Sequence, residues 1–222
     1  MRPTVRLRQR LSRGTPPREE LVARHAAGRT FADVGCMWSV DGAIAFAAEA
    51  AGAAAVTGLD VMDQSAAFRA EHARRDSKVR FVRGDLHDAE TLAAVGPHEV
   101  VWCSGVLYHA PHPLLTLQRL HALTSDVLIL ATETLPLRGT RCSFAPRPGS
   151  HPGLTAPFSP EAGYVNWYWG LGPGAVRAML EATGFSVEEE HRLAFHTTVV
   201  ARRLVRPPGP PGEPTAVLPA PR

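Results

Sequence analysis

The chain has few cysteines, no long apolar run and no cluster of metal ligands, and each absence excludes a class of protein. Its three cysteines, Cys36, Cys103 and Cys142, are too few and too scattered for a disulfide framework, and none forms a Cys-x-x-Cys pair. No run reaches the roughly 18 apolar residues that a membrane span needs. The arginine-rich start lacks the apolar segment of a secretory signal. We therefore expect a cytoplasmic protein without a membrane segment or a bound metal.

Net positive charge is confined to the first 30 residues. The formal net charge of the chain is +3. Residues 1–30 carry eight arginines and two glutamates, so this segment holds +6 and the remainder of the chain holds −3. A basic arm can contact nucleic acid or another anionic partner, whereas the body lacks the positive charge for such contacts. We predict a basic flexible arm at residues 1–17, for which a solvated terminus is the simpler interpretation.

Proline content and apolar patterning divide the rest of the chain. Residues 18–205 are predicted to form one domain, in which residues 135–171 form a lid or acceptor insertion because they are long, rich in proline and glycine, and without periodicity. Residues 206–222 hold seven of the 20 prolines. We expect this tail to be disordered, since such a composition cannot form a packed element.

Short apolar runs alternate with helical patterns through most of the domain. Strands are predicted at residues 30–35, 54–61, 79–84, 99–103, 127–132, 186–192 and 195–203. Helices are predicted at residues 18–27, 41–51, 63–75, 87–95, 113–123 and 172–184. Strands that alternate with helices indicate an α/β fold with a parallel sheet covered on both faces. Ligands of such sheets bind at the carboxyl ends of the strands.

Residues that can bind a ligand follow the first three predicted strands. Gly35 allows a tight turn beside a ligand because it has no Cβ. Asp60 ends the second strand, where an acid can accept hydrogen bonds from both hydroxyls of a ribose. Asp85 follows the third strand, next to the apolar Leu86, and can bind the amino group of an adenine. A lone acid after a strand is more often a helix cap, but the order of these acids on successive strands indicates a nucleoside site.

This arrangement resembles the class I S-adenosylmethionine-dependent methyltransferases. The segment Asp33-x-Gly35-Cys36 looks like the first motif of that family. Asp60 looks like the family's acidic residue that binds the ribose, and Asp85 looks like its acidic residue beside the adenine. The resemblance implies a Rossmann-like, doubly wound sheet of seven mostly parallel strands with an antiparallel last strand. It also implies S-adenosylmethionine as the cofactor and S-adenosylhomocysteine as the product. The residues expected to bind the cofactor are Asp33, Gly35, Cys36, Met37, Asp60, Val61, Asp85, Leu86, Ser104 and Gly105.

The first motif departs from the family pattern at two positions. Met37 and Ser39 stand where the family usually has its second and third glycines. Met37 is expected to carry its side chain into the place that the methionine part of the cofactor approaches. Either the loop follows a different curve, or cofactor binding is weakened.

A narrower resemblance lies around the fourth strand. The stretch Ser104-Gly105-Val106-Leu107-Tyr108-His109-x-x-x-Pro113 is similar to the subgroup that contains the tRNA wobble-uridine carboxymethyltransferase and its small-molecule relatives. The later segment Asn166-Trp167-Tyr168-Trp169 is similar to that subgroup as well. The chain has only about 30 residues before its first strand, however, whereas the tRNA enzyme has a long additional N-terminal region.

Three residues at the same edge are candidates for catalysis. His109 follows the fourth strand and is the first candidate for a general base, because histidine titrates near neutral pH. Tyr108 can orient the substrate, and Glu133 at the end of the fifth strand can orient His109 or bind the substrate. The structural alternatives are a histidine that bonds the next loop, a packed tyrosine and a capping acid.

The insertion and the start of the helix at residues 113–123 supply the candidates for substrate binding. Aromatic residues are dense after residue 163, which suits a flat or apolar acceptor. For the aromatic residues, the alternative is a packed lid that does not contact the substrate. For His112, which precedes Pro113, the alternative is a residue at the start of a helix. The expected substrate-binding residues are His112, Tyr164, Asn166, Trp167 and Trp169.

The leading prediction is methyl transfer from S-adenosylmethionine to a small-molecule acceptor, with a specialised metabolite as one candidate. One alternative is tRNA wobble-uridine modification, which needs a basic surface around the pocket. Another alternative is a protein that binds the cofactor but does not methylate. Such a protein acts either as a partner subunit or as the catalyst of a reaction that uses only the sulfonium charge of the cofactor. A dinucleotide oxidoreductase is a weaker option because Gly-x-Gly-x-x-Gly is absent. The sequence leaves the oligomeric state open.

Overall fold

A computed structural model describes residues 16–38, 40–144 and 169–204 of the chain. The helices in these ranges are α1 (Arg18–Ala26), α2 (Ala43–Ala50), α3 (Ala66–Arg75), α4 (Ala89–Val95), α5 (Pro113–Leu123) and α6 (Pro173–Ala182), with a 3₁₀ turn at Leu107–His109. The strands are β1 (Thr30–Val34), β2 (Ala55–Asp60), β3 (Arg80–Arg83), β4 (His98–Ser104), β5 (Thr124–Glu133), β6 (Cys142–Ser143), β7 (Gly170–Leu171), β8 (Phe185–Leu193) and β9 (His196–Arg203).

Seven strands form one sheet in the order β3-β2-β1-β4-β5-β9-β8. Strands β1 to β5 pair in parallel. Strand β9, the last in the chain, runs antiparallel to both β5 and β8. The prediction of a Rossmann-like sheet of seven mostly parallel strands with an antiparallel last strand is therefore confirmed. The carboxyl ends of β1 to β5 meet at one edge, where β9 begins.

Both faces of the sheet are covered by apolar residues. Successive residues of a strand point to opposite faces, so Phe31 and Trp102 join one cluster with α1 and α2, whereas Ala32 and Val101 join the other with α5 and α6. All four of these side chains are fully buried. Burial on both faces explains why the strands read as continuous apolar runs rather than as alternating patterns.

Several element boundaries differ from the sequence predictions for local physical reasons. Helix α3 begins at Ala66 rather than at residue 63, because the Ser65 hydroxyl accepts a hydrogen bond from the Phe68 N–H at 2.9 Å and caps the helix there. Helix α2 begins at Ala43 rather than at residue 41, because Gly42 turns the chain in the left-handed region at φ 76°. The short strands β6 and β7 were not predicted.

Some predictions fall outside the described residues. They concern nearly all of the basic arm at residues 1–17, the tail at residues 206–222 and the middle of the insertion, including Tyr164, Asn166 and Trp167. Within the described ranges, none of the helices has the length and apolar character needed to cross a membrane.

Candidate active site

A cavity of about 370 Å³ opens at the edge where the parallel strands end. Eleven of the predicted site residues line it: Asp33, Gly35, Asp60, Val61, Asp85, Leu86, Ser104, Gly105, Tyr108, His109 and Glu133. Four predicted residues do not line it: Cys36, Met37, His112 and Trp169. The topology thus brings residues from five strand ends into one cavity, as the rule for such sheets predicts.

Asp60 fixes the chain at the end of β2. Its side chain is buried, and Oδ2 accepts a hydrogen bond from the Met37 N–H at 2.8 Å. Oδ1 accepts one from the Met62 N–H at 2.9 Å. Because each carboxylate oxygen has two lone pairs, Asp60 retains the capacity to accept hydrogen bonds from a ligand in the cavity. The same carboxylate therefore holds the loop after β1 and faces the site.

Gly35 is required by the close approach of two strands. Its φ is +82°, which side chains rarely adopt. A Cβ at this position would lie 2.8 Å from the Ser104 carbonyl oxygen and 2.7 Å from Val106 Cγ2. The glycine predicted from the first motif thus allows β1 and β4 to form a narrow cavity floor.

The loop after Gly35 turns the Met37 side chain into the apolar core. The Met37 side chain is 2% exposed and packs in the apolar cluster with Phe46, away from the cavity. The expectation that this side chain stands in the cofactor's path is therefore wrong. The reason is the hydrogen bond from the Met37 N–H to Asp60, together with the bond from the Gly42 N–H to the Cys36 carbonyl at 2.7 Å.

Neighbouring residues of this loop also differ from expectation. Cys36 is fully buried with its thiol against Gly58, where a Cβ would lie 2.9 Å from Sγ. Its side chain therefore packs between β1 and β2 and does not reach the cavity. Trp38, which was not predicted as a site residue, lines the cavity and is about half-exposed.

Asp33 places a carboxyl group in the floor of the cavity. Burial raises its pKa to about 7, and the nearby charge of Asp60 acts in the same direction. A hydrogen bond that Asp33 Oδ2 accepts from the Ala45 N–H at 3.0 Å partly offsets this increase in the pKa, because it stabilises the ionised carboxylate. This carboxyl group also anchors the first turn of α2 to β1.

We expect the binding of a cationic ligand beside Asp33 to strengthen as the pH rises. With a pKa of about 7, the free carboxyl group is mostly protonated at pH 6 and mostly ionised at pH 8. A cation stabilises the ionised form, so affinity should increase about tenfold over this interval, with proton release on the acidic side. Titration calorimetry of S-adenosylmethionine in two buffers of different ionisation enthalpy measures both quantities.

Two variants separate Asp33 from other titrating groups in this pH experiment. Asp33→Asn should flatten the pH dependence. Asp85→Asn should weaken binding at every pH but keep the slope, because the pKa of Asp85 is lowered and this group stays ionised throughout. A slope that survives in Asp33→Asn would contradict the assignment.

Asp85 is held by a histidine that sequence analysis missed. Its Oδ1 accepts hydrogen bonds from the His87 backbone N–H at 2.8 Å and from the His87 ring Nδ1 at 2.9 Å. The ring bond is the main cause of the lowered pKa of Asp85. His87 Nε2 lies 3.0 Å from Thr116 Oγ1 of α5 and completes the chain of contacts. The position of His87 in the sequence could have indicated this role. A histidine two residues after an aspartate can donate both its backbone N–H and its ring N–H to the same carboxylate.

Histidine and carboxyl groups gather at the other end of the cavity. Tyr108 and His109 line it from the turn after β4, with their ring centroids 4.1 Å apart. Glu133 of β5 pairs in register with His196 of β9, and both line the cavity. His196 was missed because only the antiparallel pairing of β9 brings the first residue of that strand to the edge where the parallel strands end.

His112 and Trp169 lie beside the cavity rather than in its wall. His112 precedes α5, and its carbonyl oxygen accepts the Thr116 N–H at 3.0 Å, as the helix-start alternative predicts. Trp169 donates its ring N–H to the Pro111 carbonyl at 3.1 Å and packs on Phe144 with ring centroids 4.9 Å apart. Pro111 lines the cavity, so Trp169 ties the end of the insertion to the cavity wall.

The chain is similar to known methyltransferases in part of its sequence and in its fold. Residues 32–126 match the family described as Methyltransferase domain. No curated protein sequence matches the chain. An S-adenosylmethionine dependent methyltransferase from Mesorhizobium loti has a similar structure, with 18% identity and a TM-score of 0.57 over 84% of this chain and 98% of that chain.

Two further structures show what this fold supports in other proteins. The 1,6-didemethyltoxoflavin-N1-methyltransferase of Burkholderia thailandensis, with 1,6-didemethyltoxoflavin and S-adenosylhomocysteine bound, is 16% identical, with a TM-score of 0.61 over 91% of this chain and 83% of that one. The [4+2]-cyclase SpnF is 15% identical, with a TM-score of 0.60 over 85% of this chain and 80% of that one. At these identities, the likeness shows the fold alone.

The match over residues 32–126 confirms the prediction of a methyltransferase enzyme. Together with the fold, it supports S-adenosylmethionine as the cofactor. These comparisons do not confirm the narrower resemblance to the tRNA wobble-uridine subgroup. Within the described ranges, no three or more His, Cys, Asp or Glu residues are grouped so that they could hold a metal ion.

Proposed function

We propose that this protein transfers the methyl group of S-adenosylmethionine to a small-molecule acceptor in the cavity at the sheet edge. The observation that carries the proposal is the division of one cavity into two chemically different ends. The ends of β1, β2 and β3 contribute the carboxyl groups of Asp33, Asp60 and Asp85. The ends of β4 and β5 and the start of β9 contribute groups that can exchange protons.

The first end fits the chemistry of the cofactor. S-adenosylmethionine carries a sulfonium and an ammonium charge, and the carboxyl groups of this end complement both. Asp60 is positioned to accept ribose hydroxyls, and Asp85, fixed by His87, to accept an adenine amino group. Gly35, also in the lining of this end, lets the chain pass close to Ser104 and Val106 at the end of the neighbouring strand and turn. When bound, the cofactor supplies an electrophilic methyl group on sulfur.

The second end fits an acceptor that must lose a proton. His109 is the residue that we assign as general base, since its ring lines the cavity next to that of Tyr108. Glu133 and His196, side by side in the β5–β9 register, can bind and orient an acceptor hydroxyl or N–H group. Binding both molecules in one cavity aligns the acceptor atom for in-line attack and limits competing reaction with water.

The charge of the cavity favours a small molecule over tRNA. Four carboxyl groups and one arginine are found among the lining residues that the structure describes. Such a wall repels a phosphodiester backbone, whereas tRNA binding requires neutralisation of several phosphates. tRNA wobble-uridine modification therefore remains the second candidate, supported by the resemblance of the Ser104–Pro113 stretch and by the basic arm. The third candidate is the one that the sequence left open, a protein that binds the cofactor without transferring its methyl group.

Transfer of a labelled methyl group tests the proposal directly. Purified protein is incubated with S-adenosylmethionine labelled at the methyl carbon and with separate panels of phenols, heteroaromatic N–H compounds, sugars and total tRNA. We expect label in one small-molecule class, with S-adenosylhomocysteine formed in equal amount. Label in tRNA alone would favour the second candidate. Cofactor binding without transfer to any panel would contradict the proposal and favour the third.

A further inference from the structure

The two carboxylate oxygens of Asp85 differ in what they contact. Oδ1 accepts two hydrogen bonds from His87, one from the backbone N–H at 2.8 Å and one from ring Nδ1 at 2.9 Å. Oδ2 has no hydrogen bond or ion pair with the residues that the structure describes. Both residues line the cavity. The histidine therefore occupies one oxygen of the acid and leaves the other for a ligand.

The ring of His87 is held at its other nitrogen as well. Nε2 lies 3.0 Å from Thr116 Oγ1, which is also 3.2 Å from the His112 carbonyl oxygen. The hydroxyl can donate to Nε2, or donate to the carbonyl and accept from Nε2. In both arrangements Nδ1 keeps its proton for Asp85, because an ionised carboxylate only accepts. The bond that holds Asp85 thus persists in both charge states of the ring.

The three groups do not form a nucleophilic triad. Asp85, His87 and Thr116 stand in the acid–histidine–hydroxyl order of such a triad. Thr116 is fully buried in α5, however, and does not line the cavity. A hydroxyl that does not reach a ligand cannot attack one, so the arrangement serves to orient the acid.

An exposed carboxylate needs such support to distinguish two purines. The Asp85 side chain is 50% exposed, so without the ring bond it would rotate between side-chain rotamers. Adenine presents an N–H donor on its 6-amino group, whereas a 6-oxo purine presents an oxygen there and an N–H donor at the neighbouring N1. A rotating carboxylate can accept from either donor. A fixed carboxylate that faces the 6-position is repelled by the oxo group.

We propose that His87 is a positioning residue that fixes Asp85 against the base of the cofactor and thereby makes the site select a 6-amino purine over a 6-oxo purine. The inference rests on the proposed function, which assigns Asp85 to the adenine. It goes further because it assigns the selectivity to the histidine, since the acid alone accepts from either base. Leu86, between the two residues, is buried and lines the cavity, so it offers an apolar contact to the same base.

The test compares two ligands that differ only in the base. S-adenosylhomocysteine carries the 6-amino group, and S-inosylhomocysteine carries the 6-oxo group. Both are titrated by calorimetry into the wild type, His87→Gln and His87→Asn. The amide nitrogen of asparagine takes the place of ring Nδ1 and keeps a donor for Asp85. The longer glutamine places its amide nitrogen near the former Nε2 and keeps only the contact with Thr116.

We expect the wild type to prefer S-adenosylhomocysteine by about 30-fold, which is the effect of one hydrogen bond to a charged group. His87→Gln should lower this preference about fivefold or more, because the carboxylate of Asp85 is then free to rotate. His87→Asn should keep most of the preference. Rescue by asparagine but not by glutamine separates the orientation of Asp85 from general support of the loop.

His191 provides the matched control. It also stands two residues after an acid that it contacts, with Nε2 3.1 Å from Glu189 Oε2, but it lies on β8 and does not line the cavity. His191→Gln should change neither affinity. If His87→Gln does not fold, His87→Ala takes its place, since it also removes the ring donor and should lose the preference to the same extent.

Three results would overturn the inference while leaving the proposed function intact. The first is an equal loss of both ligands in folded His87→Gln, which would indicate that His87 only supports the loop. The second is an unchanged preference in that variant. The third is a wild type that binds both ligands equally well. Failure of the wild type to bind S-adenosylhomocysteine would instead overturn the proposed function, and this inference with it.

Discussion

Replacement of Asp60 by alanine should weaken the binding of S-adenosylmethionine by about 100-fold. In the proposed function this carboxylate accepts hydrogen bonds from the ribose, and bonds to a charged group contribute about 1.5–3 kcal/mol each. With about 1.4 kcal/mol for each factor of ten in affinity, the loss of two such bonds at the lower end of this range, about 3 kcal/mol, gives the expected change. Calorimetric titration of the variant and the wild type measures it.

The same substitution should also lower the stability of the protein without ligand. The Met37 and Met62 N–H groups lose their acceptor, and an unsatisfied buried donor costs about 1–3 kcal/mol. The free energy of unfolding from denaturant titration reports this loss separately from binding. Asp60→Asn, which keeps one acceptor oxygen, is the substitute if the alanine variant does not fold.

Asp63 provides the matched control for Asp60. It lies three residues further along, its side chain is 71% exposed, and it pairs with Arg83 at 3.6 Å across the surface. Surface pairs of this kind contribute little to stability, so Asp63→Ala should change neither affinity nor unfolding free energy appreciably. Equal affinities for the wild type and Asp60→Ala would show that the ribose does not lie at this acid.

Replacement of His109 by alanine should lower turnover by about 100-fold or more and leave the affinity for S-adenosylhomocysteine nearly unchanged. A positioned general base contributes about 10²–10⁴ to rate, and His109 lies at the end of the cavity away from the acids of β2 and β3. Turnover is measured with the acceptor identified by label transfer, and affinity is measured by calorimetry.

The control for His109 is the second histidine of the same segment. His112 precedes α5 and does not line the cavity, so His112→Ala should retain full turnover. Unchanged turnover in His109→Ala would remove its role as a base. A loss of cofactor affinity as large as the loss of turnover would show that His109 supports the cavity rather than the proton transfer.

Sequence analysis found the residues whose functional side chains lie at the end of a strand or directly after it. Asp60 and Asp85 come at or immediately after β2 and β3, and the carboxyl ends of parallel strands lie at one edge of the sheet. Gly35 was found for the same reason, because a turn between closely packed strands needs a residue without Cβ. The seven-stranded sheet and its antiparallel last strand followed from the family resemblance.

The residues that were missed depend on long-range packing. His196 reaches the edge only through the β5–β9 register, and no local pattern marks the first residue of that strand. Arg18 was predicted to begin a helix of the domain but was not predicted to line the cavity, which it does. Met37 was assigned to the cavity because the sequence does not reveal that its N–H bonds to Asp60 while its side chain turns inward.

The most direct test of the account is a calorimetric titration of the purified protein with S-adenosylmethionine and S-adenosylhomocysteine. The account predicts saturable binding of both ligands at one site, with dissociation constants of the order of micromolar. A folded sample that binds neither ligand at about millimolar concentration would contradict the assignment of the cavity at the sheet edge as a cofactor site.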